Sequence, residues 1–523
     1  MEQLPADKRE VIVNNTGLSA YLAQVEQGRK PTPRSWLYES VAPDKVLQNW
    51  LDTLHLLGKS EDTYARRILS FELEKLKVWG PQGGTPELSK AIAKTEEYYT
   101  SPRPHPAFAD EDWKRAIEQA RLWLFGKRTH LRPASYNKVV DDMRERDTLN
   151  TNSGWPDFKQ RSMPEVKTRA IADAASGQWR DYPAILLYRQ YFGKLRQVWM
   201  YPMATNLVEG SFTQPIMAAM RKQPTASETL APWIGFDAVR EVISQWYGMA
   251  DEYIFGGDFT GMDIHMRVAQ NEQVYSLLEP LFSEQDRPLL RDSILNSNNI
   301  GLVVSRTEWM PPGVDAHGLA SGSNWTQLPE TIFQVILNQY IQIKLVKRIA
   351  LCAIGDDSAS RTLKSNHPMA PELVKVYESV GMEANLAKQS DSISELTFLQ
   401  RLFQRGYLRT DGLTRAVYPT IRALESSVWP ERYHSKNWDK WMFCIRQYMI
   451  LENCIDHPLF EEFVRFIVRG QEDLIPFAKF GGKRLEQFQR QANLIPNLNP
   501  SYNQEKRTKS LAEFEGIRIA SQL

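Results

Sequence analysis

Ile349-Ala350-Leu351-Cys352-Ala353-Ile354-Gly355-Asp356-Asp357-Ser358 reads as an apolar strand that breaks at a glycine and delivers two adjacent carboxylates. The run predicts a buried strand. Gly355-Asp356-Asp357 then makes a tight turn, and Ser358 onward returns as the antiparallel partner. A segment of the same kind lies upstream: Tyr253-Ile254-Phe255 is a short apolar strand, Gly256-Gly257 opens a turn, and Asp258-Phe259-Thr260-Gly261-Met262-Asp263 follows. The triplet alone carries little weight, since chance supplies a Gly-Asp-Asp in about one chain in ten of this size. Its context decides how it is read.

At 523 residues the chain is too long for one simple core, and the length predicts about three domains or lobes. Hydrophobic content of 42%, charged content of 24% and 15 Trp describe an ordered protein. The net charge is +1, so any polyanionic partner must be met by a local concentration of basic residues. Cys352, Cys444 and Cys454 form neither a disulfide framework nor a zinc-spaced cluster, which fits a reducing interior. The polar N-terminus lacks a signal-peptide core. The best apolar stretch, Ile341 to Ile354, is broken by Lys344, Lys347 and Arg348. A soluble intracellular protein is expected.

Working outward, the first eighty residues predict helices, with Val46, Leu47, Trp50, Leu51 and Leu54 on one face and Ile68, Phe71, Leu76 and Trp79 at looser spacing. Gly80 to Pro86 ends that region, and Ser101 to Pro106 is a second stiff connector. Helical spacing recurs at Ile264, Val268, Val274, Leu277 and Leu278, and again at Leu373, Val374, Val376, Tyr377 and Val380 before Gly381. Beyond Thr410 the pattern is mostly helical, with breaks near Pro476 and Gly481-Gly482. The expected fold class is α+β: an antiparallel sheet backed by helices, flanked by helical regions.

Other strings bear on the chemistry. Ser321-Gly322-Ser323-Asn324-Trp325-Thr326 precedes a long helical stretch; alone it would be a turn and cap, but it stands between two acidic turns. Lys194 and Arg196 alternate on one face of a strand, with Arg189 before them; this is a solvated edge, or a clamp for phosphate oxygens. Thr151-Asn152-Ser153-Gly154-Trp155-Pro156 is an ordinary turn or a guiding loop. Lys388 follows a helix end, where most lysines are merely exposed. Carboxylates from two segments suit hard divalent cations, and a pair of Mg²⁺ ions can serve an in-line phosphoryl displacement.

Taken in order, these strings resemble the motifs of viral RNA-dependent RNA polymerases. In that family's lettering Thr151 to Pro156 is motif G, Arg189, Lys194 and Arg196 are F, and Asp258 to Asp263 is A. Ser321 to Thr326 is B, Gly355-Asp356-Asp357 is C, Lys388 lies in D, and Thr397 to Phe403 looks like E. Gly-Asp-Asp-Ser, Ser-Gly-Ser-x-x-Thr and Phe-Leu-Gln-Arg together look most like picobirnavirus polymerases, with partitivirus polymerases second. The resemblance implies a right hand of fingers, palm and thumb, closed by an N-terminal fingers–thumb bridge. The expected boundaries are 1–80 for the bridge, 81–250 and 276–315 for fingers, 251–275 and 316–405 for palm, and 406–523 for thumb and tail.

By the same resemblance Asp258 and Asp356 hold two Mg²⁺ ions (Mn²⁺ substituting), with Asp357 assisting and Lys388 as general acid. Arg189, Lys194, Arg196, Asp263, Ser321, Gly322 and Thr326 are expected to bind the nucleotide. Ser153, Gly154, Pro156, Phe398, Gln400 and Arg401 are expected to meet template or primer RNA. The implied partners are template and product RNA, NTPs and a capsid protein, for a monomer in the virion interior and host cytoplasm, serving a double-stranded, segmented genome. One residue departs from the pattern. Glu330 stands four residues after Thr326, where the family usually has an Asn that helps recognise the ribose 2′-OH. A reverse transcriptase, a two-metal nuclease and a non-catalytic RNA-binding relative compete with this reading; the basic strand, the Ser-Gly loop, Asp263 and the retained acids argue against them. A loop at Pro476 to Lys483, or the tail after Pro500, is a candidate priming platform or plug.

Overall fold

The computed structural model describes residues 1–145, 148–249, 252–257, 259–383, 390–432, 438–492 and 509–523. Among them are the strands β1 (Glu2–Gln3), β2 (Ala184–Tyr191), β3 (Lys194–Met200), β4 (Glu252–Gly257), β5 (Leu302–Val303), β6 (Glu308–Met310), β7 (Ala350–Ile354), β8 (Asp357–Leu363), β9 (Ser390–Ser392), β10 (Glu395–Phe398) and β11 (Arg401–Gln404). A four-stranded sheet in the order β7-β8-β4-β9 is antiparallel throughout. The apolar strands that lead into the two acidic segments of the sequence therefore belong to one sheet, with Gly257 at the end of β4 opposite Ser358 in β8.

Alternation along these strands divides the side chains between two cores. Phe255, Leu351 and Ala353 pack against the helices Val268–Leu278, Gln327–Leu345 and Ala370–Ser379. Ile254, Cys352 and Ala359 face the other way, onto helix Phe236–Gly248 and the β10–β11 hairpin. Helix Gln327–Leu345 is buried on nearly every side from Leu328 to Asn338. Such a helix belongs to the interior, and this one spans the back of the sheet.

A second sheet, in the order β1-β6-β5-β2-β3, is mixed, because β2 and β5 run parallel. Its outer member β1 departs from the all-helical expectation for the first eighty residues. Two residues are too short to carry an alternation signal. The rest of that region follows the predicted face: Val46, Leu47, Trp50, Leu51 and Leu54 of helix Pro43–Leu54 are all buried. They share a core with helices Thr420–Val428, Lys440–Leu451 and Phe460–Arg469. Buried polar bonds reinforce that seam. Trp50 Nε1 donates to Thr420 Oγ1 at 2.8 Å, and Glu72 accepts from the backbone of Thr420 at 2.6 Å and of Ile421 at 3.0 Å. The N-terminal region thus pairs with the mixed sheet at one end and packs on the C-terminal helices at the other.

The segment Pro476 to Lys483 is not the projecting loop expected from its Pro and Gly content. Leu474–Ala478 is a short helix whose Leu474, Phe477 and Ala478 are buried in the C-terminal core, and the next helix begins at Gly482. The far end of the tail also packs there, through Leu511, Phe514, Ile517 and Ala520. Residues 501–508, the start of the tail proposed as a plug, lie outside the described residues. Among the described residues no helix is long and apolar enough to cross a membrane.

Candidate active site

A cleft of about 670 Å³ opens beside the β7–β8 turn. Its wall carries Ser321, Gly322 and Thr326 of the loop before the long helix, then Asp356 and Asp357, then Gln400 and Arg401 of the β10–β11 turn. Three strings far apart in sequence meet in one concavity.

The acidic turn is two residues long, because Asp357 already pairs with Ile354 and only Gly355 and Asp356 lie between the strands. β8 thus begins one residue earlier than expected. Gly355 adopts φ +59°, the left-handed conformation that glycine enters without steric cost. The buried helix behind holds it: Gly355 N donates to Thr331 Oγ1 at 2.8 Å, and Gln334 Nε2 donates to the Gly355 carbonyl. Asp356 and Asp357 are exposed toward the cleft. Hard carboxylate oxygens are the donors that Mg²⁺ takes, so these two residues fit such an ion. Asp258 and Lys388 lie outside the described residues, and among the described ones no group of three or more His, Cys, Asp or Glu could hold a metal.

Glu330 belongs to this site. It sits in the first turn of helix Gln327–Leu345 and is 4% exposed; a Cβ placed on Gly355 would stand 3.1 Å from its Oε2. Burial, reinforced by the nearby charges of Asp356, Asp263 and Asp357, pushes its acid well above the ordinary carboxylate range. Asp263 receives a hydrogen bond from a residue with no sequence signal, the hydroxyl of Tyr98, and a second from the backbone of Ile264 at 3.0 Å. Burial, then the Asp263 carboxylate, pushes the Tyr98 phenol up, so it stays a donor.

The loop Ser321 to Asn324 is pressed against the end of β3. Trp199 N donates to the Ser321 carbonyl at 2.7 Å, and a Cβ on Gly322, whose φ is +121°, would lie 2.1 Å from the Trp199 carbonyl oxygen. The loop expected to guide template is likewise built in. Ser153 is buried, Met203 N donates to its carbonyl at 2.8 Å, and a Cβ on Gly154 would meet the Tyr201 carbonyl at 2.5 Å. The Pro156 carbonyl accepts from Asn15 Nδ2 at 3.3 Å.

The basic strand is split in its surroundings. Lys194 and Arg196 are exposed on one face of β3, outside the lining of the cleft. Arg189, opposite Arg196 across the ladder, makes a bidentate pair with Glu431 at 2.6 and 2.9 Å. The residues expected at the primer end separate too. Phe398 is 3% exposed and packs in the core with Leu396 and Phe403, outside the lining of the cleft. Arg401 is 5% exposed; it lies 3.8 Å over the Phe236 ring and donates to the Asn453 carbonyl at 2.8 Å. Gln400 is exposed at the turn.

Residues 192–430 match the family model described as viral RNA-dependent RNA polymerase. A potential RNA-dependent RNA polymerase of Human picobirnavirus is 26% identical over 484 residues, covering 88% of this chain and 86% of the relative. The crystal structure of the RNA-dependent RNA polymerase of a human picobirnavirus is similar at a TM-score of 0.80 and 22% identity, over 100% of both chains. An insertion-loop deletion mutant of such a polymerase gives a TM-score of 0.78 at 23% identity, covering 97% of this chain and 99% of the other. The α+β architecture described above is thus the polymerase fold, residues 192–430 carry the viral RNA-dependent RNA polymerase pattern, and the chain is similar along most of its length to picobirnavirus polymerases.

Proposed function

We propose that the chain directs attack of an RNA 3′-hydroxyl on the α-phosphate of a template-selected NTP, releasing pyrophosphate. The observation that carries this reading is the single cleft in which the Ser321–Thr326 loop, the Asp356–Asp357 turn and the β10–β11 turn converge. Asp258, Asp356 and Asp357 would hold two Mg²⁺ ions, with Mn²⁺ able to substitute. Bound there, the ions would activate the attacking hydroxyl and stabilise the leaving oxygen. Lys388 is the proposed proton donor to the departing pyrophosphate. Lys194 and Arg196, with Arg189 placed by Glu431, offer cations to the triphosphate. Asp263, Ser321, Gly322 and Thr326 would take the sugar and base, Ser153, Gly154 and Pro156 the template, and Gln400 and Arg401 the primer end.

The domain division into an N-terminal bridge (1–80), fingers (81–250 and 276–315), palm (251–275 and 316–405) and thumb (406–523) goes with this reading. So do transcription and replication of a double-stranded, segmented genome by a monomer associated with capsid protein, in the virion interior and host cytoplasm. The deciding experiment is incorporation by the purified chain on an RNA template, with NTPs against dNTPs and with and without primer. Template-dependent incorporation of NTPs is expected; dNTP incorporation would indicate a reverse transcriptase, and none at all a binding relative. EDTA is expected to abolish the reaction, and Mg²⁺ or Mn²⁺ to restore it. Activity that survives chelation would sink the two-ion mechanism.

Tyr98 allows a finer test of sugar choice. The Tyr98→Phe variant removes one hydroxyl and leaves the ring against Trp199. A lost hydrogen bond to a carboxylate should lower the NTP over dNTP preference by about tenfold. An unchanged ratio would show that Asp263 does not depend on this hydroxyl.

A further inference from the structure

Helix Met203–Lys222 carries one charge in its first eighteen residues, Glu209, at 0% exposure. An ionisable side chain in that setting is retained only where polar partners surround it. Both carboxylate oxygens are engaged. Oε1 accepts from the Ser323 hydroxyl, while Oε2 accepts from the Asn324 backbone at 2.8 Å and from Asn206 Nδ2 at 2.9 Å. Asn324 closes the ring by donating its side-chain amide to the Asn206 carbonyl at 2.9 Å, and the Ser323 oxygen accepts from Trp325 N at 3.0 Å.

Asn206 is itself anchored. Arg161 donates to Asn206 Oδ1 at 2.9 Å and to the Asn152 carbonyl at 3.0 Å, and Asn152 Oδ1 accepts from Gly154 N at 2.8 Å. One chain of hydrogen bonds therefore runs from the template-side loop, through Arg161, Asn206 and Glu209, to the loop that bears Ser321 and Gly322. Burial pushes the Glu209 acid up to about 7, while the three donors and Arg161 act in the opposite direction.

We propose that Glu209 is a positioning residue that holds the Ser321–Asn324 loop in its nucleotide-receiving conformation. It meets no reacting atom; it acts through Ser323 and Asn324 on Ser321 and Gly322. The proposal rests on the reading that this loop receives the nucleotide. Glu209→Ala removes both bonds from this side chain to the loop, those to Ser323 and Asn324. Glu209→Gln keeps an oxygen for Asn324 and Asn206 and offers Ser323 a donor that its hydroxyl can accept.

The test is steady-state NTP incorporation on a primed RNA template, with thermal melts of each variant. Glu209→Ala is expected to raise the NTP KM about tenfold with a much smaller change in kcat, and Glu209→Gln to return it to within about threefold of the parent. A KM within twofold of the parent in a folded Glu209→Ala variant overturns the proposal, as does an equal rise in Glu209→Gln. If Glu209→Ala does not fold, Ser323→Ala cuts the same contact from the loop side, and its KM decides in the same way. A parent chain that incorporates no NTP refutes the polymerase reading itself, and an active parent with indifferent variants refutes only the role of Glu209.

Discussion

Asp356→Asn is expected to lower nucleotide incorporation by about a thousandfold, the equivalent of roughly 4 kcal/mol of transition-state stabilisation. Asparagine keeps the size of the side chain and its hydrogen-bonding reach but brings no negative charge to a cation. The turn is pinned through Gly355, whose amide donates to Thr331 and whose carbonyl accepts from Gln334, and the substitution leaves both bonds in place. Thermal stability should therefore stay within about 0.5 kcal/mol of the parent, as for exposed substitutions generally. Asp357→Asn is expected to cost less, about tenfold, as befits an assisting ligand. Incorporation with Mg²⁺, read alongside a melt of each variant, checks both. Near-normal incorporation by a folded Asp356→Asn enzyme would remove this residue from the catalytic centre.

Gly322→Ala should lower kcat/KM for NTPs by about a hundredfold, mostly through KM, and should also weaken discrimination against dNTPs. Two independent features produce the effect. The φ of +121° is a conformation that side chains other than glycine rarely enter, and strain of this kind costs about 1–3 kcal/mol. The new methyl would also stand 2.1 Å from the Trp199 carbonyl, which is backbone in a paired strand and has little room to yield. Ser321 is tied to the same residue by the 2.7 Å bond from Trp199 N, so the loop must lift as a unit. Steady-state kinetics with matched NTP and dNTP pairs measure the result. Wild-type KM in this variant would mean that the loop does not receive the nucleotide.

How much of this was readable in advance depended on the kind of signal. Strands β4 and β7 were legible because an apolar run closed by glycine has few other solutions, and the helical face at Val46 to Leu54 followed from its spacing. Strand β1 was not legible, since two residues hold no pattern, and neither was the packing of the Pro476 segment. There Pro and Gly suggested a loop, yet buried Leu474 and Phe477 hold a helix. The motif predicts Phe398 as an RNA contact, whereas it packs in the core and Gln400 stays exposed at the turn. Glu209 does carry a sequence signal, a lone charge in an otherwise uncharged, mostly apolar helical stretch. Tyr98 had none, because a tyrosine in a helical region looks the same whether or not a carboxylate waits above it.

Residue types in order along the chain determined the fold class, the acidic turn and the glycines on which the site depends. Those are local properties, set by period, turn chemistry and the freedom of glycine at Gly355 and Gly322. Tertiary structure alone decided which side chains share the cleft and which support it. It turned Glu330 toward the acidic turn, bonded Tyr98 to Asp263, paired Arg189 with Glu431, and placed Glu209 beneath the Ser321 loop. Each of these is a contact between segments far apart in sequence. Burial and charge act through distance in space, which the order of residues does not record.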